Sequence, residues 1–149
     1  MDLAPPLRAA LIEVAAIMAP ARHDWWVIAS AALALHGADP GPVRDIDVLF
    51  DPRDAGAVLG PLGLAPLRGS GDERFRSDLF VTWTGAALPI ELFAGFSLCE
   101  RGKWSSVALQ TRQPVELDGH RLWVPSREEL RALLLRFGRE KDLRRAALL

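Results

Sequence analysis

The segment WVIASAALALHGADPGPVRDIDVLFDP, Trp26–Pro52, decides how the rest of the chain is read. WWVIA, from Trp25, has the composition of a short buried strand. Ser30 suits the N-cap of a helix over AALALH, which Gly37 can end. GADPGP holds two Gly and two Pro and continues neither element. DIDVLF is then a second strand, with Ile46, Val48 and Phe50 on one face and Asp45, Asp47 and Leu49 on the other. Two carboxylates on one strand face repel each other, and the segment poses the question of what offsets that repulsion.

Outward from this segment the chain alternates elements of both kinds. Pro5 and Pro6 suit a helix start, and Leu7, Leu11, Val14, Ala15 and Met18 recur at helical spacing. PRDAGAVLG predicts a helix opened by Asp51 and Pro52. GSGDERFRSD reads as a polar loop. LFVTWT and LPIELFAG form a hairpin around GAA, and VALQTRQPVEL and HRLWVP a second one turning at Asp118-Gly119. From Ser126 the tail is helical, with SREEL as a capping box of Ser126 and Glu129, and a further helix follows Gly138. The expectation is one α+β domain over residues 1–149, a mixed sheet flanked by helices, with 126–149 as a helical tail.

Composition narrows the function classes. The chain has 149 residues, half of them apolar, a quarter charged, with a formal net charge of −1. That balance exerts no global pull toward nucleic acid or membrane. Sixteen of the 18 basic residues are Arg, a drift from which no function is drawn. Cys99 is the only cysteine, which excludes an intramolecular disulfide and a thiolate metal cluster. Glu13 interrupts the apolar N-terminus and Asp2 stands where a signal peptide would be basic, so a cytoplasmic protein is expected. No run reaches the ~18 apolar residues of a membrane span.

The chemistry rests on acids. Residues two apart on a strand point the same way, so Asp45 and Asp47 converge. Glu91 in PIEL projects opposite to Ile90 and Leu92, and if its strand pairs beside DIDVLF the three carboxylates meet at one sheet edge. So much negative charge raises each group's pKa unless a divalent cation holds them ionised. Oxygen donors of this kind suit Mg²⁺ or Mn²⁺. Asp-x-Asp also arises freely from alternation on a half-exposed strand, and the Ser30 helix start, an anion-favouring end, is what makes the combination specific.

Strand, small-residue turn with Ser at a helix start, Asp45-Ile46-Asp47 and the later Glu91 together resemble the nucleotidyltransferase superfamily of polymerase-beta-like proteins. The likeness is to small bacterial members related to AbiEii-type toxins and to aminoglycoside or lincosamide nucleotidyltransferases. The tail VPSREELRALLLRFGREKDLRRAALL, with Gly138, Arg139, Lys141 and Asp142, is similar to theirs. The resemblance implies that Ala29, Ser30 and nearby amides hold the phosphates of ATP, CTP or GTP. It implies that Asp45 and Asp47 bind metal, and that Glu91 completes a second metal site or deprotonates the acceptor. Arg139 or Lys141 would clamp the triphosphate. The acceptor would be a hydroxyl on tRNA, protein or a small molecule, with a second copy of the chain or an antitoxin-like protein as candidate partner. Family turns carry glycine where this chain has Ala29, whose Cβ either crowds the phosphate or faces the core.

Other residues have plainer readings. Arg44 either meets a triphosphate or pairs with an acid. His36 reads as a helix C-terminal partner, His23 and His120 as solvated, and Asp24 as a turn residue. The five Trp read as packing, with at most one as a stacking platform. Arg74 and Arg76 either touch a polyanionic acceptor or keep their loop soluble. The tail's seven basic and four acidic residues read as a solvated surface. Two competing functions remain: a catalytically degenerate nucleotide- or partner-binding module of the same fold, and a metal-dependent phosphohydrolase lacking a visible His or Lys base.

Overall fold

Hydrophobic spacing and capping chemistry account for the helices. In the computed structural model, which describes residues 2–149, α1 runs Pro5–Met18, its prolines in the first turn and Leu7, Leu11, Val14 and Met18 buried. β1 (Trp26–Ile28) passes directly into α2 (Ala29–Leu35), every residue of which is buried. Gly37 ends that helix at φ +81°, as the sequence indicates, and the His36 ring lies 2.8 Å from the Pro125 carbonyl. β2 is Ile46–Phe50. The Asp51 side chain accepts from the Arg53 amide and opens a 3₁₀ turn leading into α3 (Ala55–Leu59).

The segment read as a polar loop is strand instead. β3 (Leu67–Gly71) and β4 (Phe75–Trp83) are antiparallel, joined by a tip in which Asp72 Oδ1 accepts from the amides of Arg74 and Phe75. An Asx turn closed on its own backbone lets a polar sequence form a hairpin. β5 (Ile90–Glu100) is longer than LPIELFAG and carries a further partner, β6 (Lys103–Ser106). β7 (Gln113–Leu117) and β8 (His120–Val124) turn at Asp118-Gly119 as expected. Residues 107–112 stay outside that hairpin, because Glu129 draws them to the tail: its carboxylate accepts from the Gln110 and Thr111 amides.

The main sheet has the order β1-β2-β5-β4-β3, with β6 on the distal half of β5. β2 and β5 are parallel and the other pairs antiparallel. Ile46, Val48, Ile90, Leu92 and Leu98 have no exposed surface, and each contributes roughly 1.5–3 kcal/mol by burial. They join α1, α2 and the tail helices in a continuous core. α4 (Arg127–Phe137) is capped by the Ser126 hydroxyl, which accepts from the Glu129 amide. The Glu129 half of the capping box is absent, its carboxylate being engaged as above. Gly138, at φ +70°, turns the chain into α5 (Glu140–Ala146). Among the described residues no helix is long and apolar enough to cross a membrane.

Candidate active-site cleft

Register brings the acids together. β2 and β5 pair in parallel with Asp47 opposite Glu91, Ile28 of β1 opposite Asp47, and Thr82 of β4 opposite Glu91. Paired residues share a sheet face, so the two carboxylates lie side by side on one row. Asp47 is pushed well above the ordinary carboxylate range. Burial is the largest cause, followed by the hydrogen bond with Glu91 and the charges of Glu91 and Asp45, with the Arg139 guanidinium opposing. Two carboxyls that close favour a proton, or a cation, between them. Asp45, half-buried just before β2, acts on Asp47 through its charge.

These two residues stand at the floor of a cleft of about 300 Å³ whose walls come from four places in the chain. Ile28 and Ala29 border it at the β1–α2 junction; Ser70, Gly71 and Asp72 at the β3–β4 tip; Phe137 and Arg139 at the α4–α5 corner; and Phe75, Ser77, Phe80, Phe93 and Phe96 along the strands. Five of the six phenylalanines thus line one hollow. Their rings form a connected cluster, with centroids 5.0 Å apart for Phe93–Phe96 and 5.2 Å for Phe75–Phe137. The sequence offers a signal for it, Phe at 93 and 96 close after Glu91, but the polar-loop reading of 69–78 hid Phe75 and Ser77.

Arg139 is held rigidly. Its Nε donates to Asp142 Oδ2 at 2.6 Å and its Nη2 to Oδ1 at 3.1 Å, while its backbone amide also reaches Oδ2. Asp142 has no exposed surface. The guanidinium carbon lies 4.9 Å from the centre of the Phe75 ring, a cation–π contact. Asp72 is drawn below the usual carboxylate range, first by the Phe75 and Arg74 amides and then by the Arg139 charge.

Ala29 carries the left-handed backbone that its position suggested for glycine, with φ +58°. Arg101 and Asp118 share positive φ, but each precedes a glycine in a hairpin turn where that geometry is normal. Ala29 sits instead at the strand-to-helix junction beside the acid pair, and a non-glycine residue there costs about 1–2 kcal/mol. Because the turn occurs at Ala29, the helix begins one residue before the expected cap. Ile28 occupies the N-cap position, and Ser30 lies within the first turn, 6% exposed, with no capping bond and off the cleft.

Other candidate residues lie elsewhere. Arg44 and Lys141 are exposed and border no part of the cleft. Arg74 donates to the Phe137 carbonyl at 2.8 Å, and Arg76 covers the Trp104 ring at 3.9 Å. No tryptophan borders the cleft; Trp123 is covered by Arg112, itself paired with Asp24. His23, expected in solvent, has Nδ1 3.0 Å from Asp54 Oδ1, an acid that the sequence left unremarked.

The donor set is consistent with a hard divalent cation. Two carboxylates held side by side repel unless a proton or a cation lies between them, and Mg²⁺ is commonly held by one or two carboxylates, completing its shell with water and phosphate oxygens. Among the described residues no three His, Cys, Asp or Glu side chains form a ready cation cage: Asp47 and Glu91 pair side by side, while Asp45, outside the strand, does not join them as the expected third acid.

No family model matches the chain, and no curated protein does. Solved structures do. A candidate nucleotidyltransferase from Thermotoga maritima aligns over 91% of this chain and 86% of its own, with 23% identity and a TM-score of 0.71. The antibiotic-resistance factor ANT(2″)-Ia aligns over 93% and 80%, with 13% identity and a TM-score of 0.58. The lincomycin-bound lincosamide adenylyltransferase LnuA aligns over 99% and 98%, with 13% identity and a TM-score of 0.57. The chain therefore has the α+β fold of the nucleotidyltransferases, as its residues suggested.

Proposed function

We propose that this chain is a metal-dependent nucleotidyltransferase, moving the nucleotidyl group of ATP, CTP or GTP to a hydroxyl acceptor. The observation that carries the reading is the Asp47–Glu91 pair at the floor of the cleft, with the Asp45 charge beside it. Asp47 and Glu91 would hold Mg²⁺ or Mn²⁺. The cation supplies neutralisation of the triphosphate and of the charge that builds on the attacking and leaving oxygens.

The chain's own residues do the rest. Arg139, fixed by Asp142 and close enough for its charge to act on Asp47, would meet the α-phosphate over the acid pair with a guanidinium already oriented, so little freedom is lost on binding. Ile28 and Ala29 form the wall on the β1 side. In the displacement, the acceptor oxygen bonds to the α-phosphorus as the bond from that phosphorus to the bridging oxygen breaks. Pyrophosphate leaves, and the hydroxyl proton passes to the Glu91 carboxylate and then to water. Ser30, Arg44 and Lys141 take no part in this reading.

A second reading is favoured by one feature, the methyl group of Ala29 at φ +58°. A Cβ where a backbone must approach phosphate would leave a protein that binds nucleotide or partner without transfer. Incubation with each nucleoside triphosphate labelled at the α-phosphate, Mg²⁺ and a mixed acceptor pool separates the two. Transfer lost in Asp47→Ala supports the enzyme, and binding without transfer supports the module.

A further inference from the structure

Sheet order gives the cleft a direction. The acid pair straddles β2 and β5; α2 and Ala29 lie beyond it on the β1 side, while the phenylalanines lie on β5, β4 and the α4 end. An in-line displacement needs the entering and leaving oxygens on opposite sides of the phosphorus. With the leaving phosphates toward Ala29, the acceptor approaches over Glu91 from the β4 side. That side is the aromatic hollow.

Its chemistry selects the acceptor. Apart from the acid pair, the charged groups bordering it are Asp72 and Arg139. Asp72 Oδ1 accepts from two backbone amides, and Arg139 is paired on its Nε and Nη2 side with Asp142. The remaining wall is phenyl rings with the hydroxyls of Ser70 and Ser77. A polycationic acceptor would meet the Arg139 cation beside the one rim carboxylate, Asp72, and a polyhydroxyl sugar would desolvate its hydroxyls against rings that return no hydrogen bonds. Phe75 and Phe80 are only half-buried, so the hollow has ring surface still open to a flat apolar ligand, and about 300 Å³ is the scale of a small-molecule site.

Resting on the transferase reading, we infer that the acceptor is an uncharged hydroxyl compound with a flat aromatic body, bound against Phe80 and Phe93, its oxygen directed to Glu91. The new bond joins that oxygen to the α-phosphorus, pyrophosphate departs with the electrons of the broken bond, and the acceptor's proton goes to Glu91. The product is an aryl nucleotidyl ester.

Naphthol serves as probe, beside a polycationic aminoglycoside and a neutral sugar alcohol. Wild-type protein should bind naphthol saturably, together with Mg²⁺ and a non-hydrolysable triphosphate, and should transfer label from the α-labelled triphosphate to naphthol in preference to the other two. Phe80→Ala, at a half-exposed position, and Ser70→Leu, which fills the hollow from its rim, should each weaken naphthol binding about tenfold while leaving triphosphate binding unchanged. Naphthol binding insensitive to both variants overturns the inference, as does preferred labelling of the aminoglycoside or the sugar alcohol. Competition between naphthol and the triphosphate also overturns it, because the rings then hold the nucleobase. Failure of the parent reading looks different: no Mg²⁺-triphosphate binding that depends on Asp47, with naphthol binding in the hollow intact.

Discussion

Removing the Asp142 carboxylate tests how the tail is built into the cleft. In Asp142→Ala, three hydrogen bonds disappear: those from Arg139 Nε, Nη2 and backbone N–H. Hydrogen bonds to charged groups contribute about 1.5–3 kcal/mol each when buried, and a lost helix cap costs about 0.5–2 kcal/mol. The Arg139 side chain is 37% exposed, so it can turn to water, which returns much of the first contribution. The net loss is about 2–4 kcal/mol, and at roughly 2–4 °C per kcal/mol for a chain of this size Tm falls by about 4–16 °C. The same change frees the guanidinium from its place at the rim, so triphosphate affinity should fall about tenfold at temperatures where the variant is fully folded. Urea unfolding and calorimetry measure the first effect, and titration with a non-hydrolysable triphosphate the second. A stability loss below about 0.5 kcal/mol would mean that α5 does not depend on this buried acid. Unchanged affinity in a folded variant would remove Arg139 from the phosphate-binding role.

Two further changes probe local geometry. At Ala29, glycine relieves about 1–2 kcal/mol of left-handed strain but loses a buried methyl and gains unfolded-state freedom, so the net change stays within about 1 kcal/mol; Ala29→Val, β-branched at φ +58°, costs more than about 2 kcal/mol, and equal stability of the two variants would contradict the left-handed assignment. Asp54 is 3% exposed and accepts from the Arg22 and His23 amides and the His23 ring. Its burial works to raise its pKa, yet those three partners draw it below the usual range. The stability it contributes is therefore present above the unfolded value of ~3.9 and is lost as pH falls through the lower folded value. Asp54→Ala should cost about 2–4 kcal/mol at neutral pH and lessen the acid sensitivity of unfolding; an unaltered pH profile in urea melts would exclude this role.

Much of the site was legible because strand geometry is periodic. Once DIDVLF and PIEL are read as strands, alternation alone puts Asp47 and Glu91 opposite their apolar neighbours, whereas the pairing of β2 with β5 was a condition that only the folded register meets. Asp45 was harder to place, since it lies just outside the strand and alternation no longer governs it. Ser30 was misjudged for a related reason: cap preference is a local statistic, whereas the turn was made one residue earlier by an alanine in a conformation its type disfavours. The β3–β4 hairpin escaped notice because polar composition masks strands whose turn is closed by Asp72 on its own backbone. The aromatic hollow depends on that hairpin and on the α4–α5 corner folding over β5, contacts far apart in sequence. Arg139, Lys141 and Arg44 were equivalent as charges in a string; only packing against Asp142 and Phe75 distinguishes the one that reaches the cleft.

Asp47 and Glu91, side by side on paired strands, are the proposed ligands of the cation. Calorimetric titration with Mn²⁺, repeated in buffers of different ionisation enthalpy, tests that assignment most directly. Wild-type protein should bind the ion and release up to about one proton per ion as the pH is lowered toward the carboxylate range, and Asp47→Asn should lose both the binding and the release. Binding of equal strength in Asp47→Asn, or none in the wild type, would contradict the account.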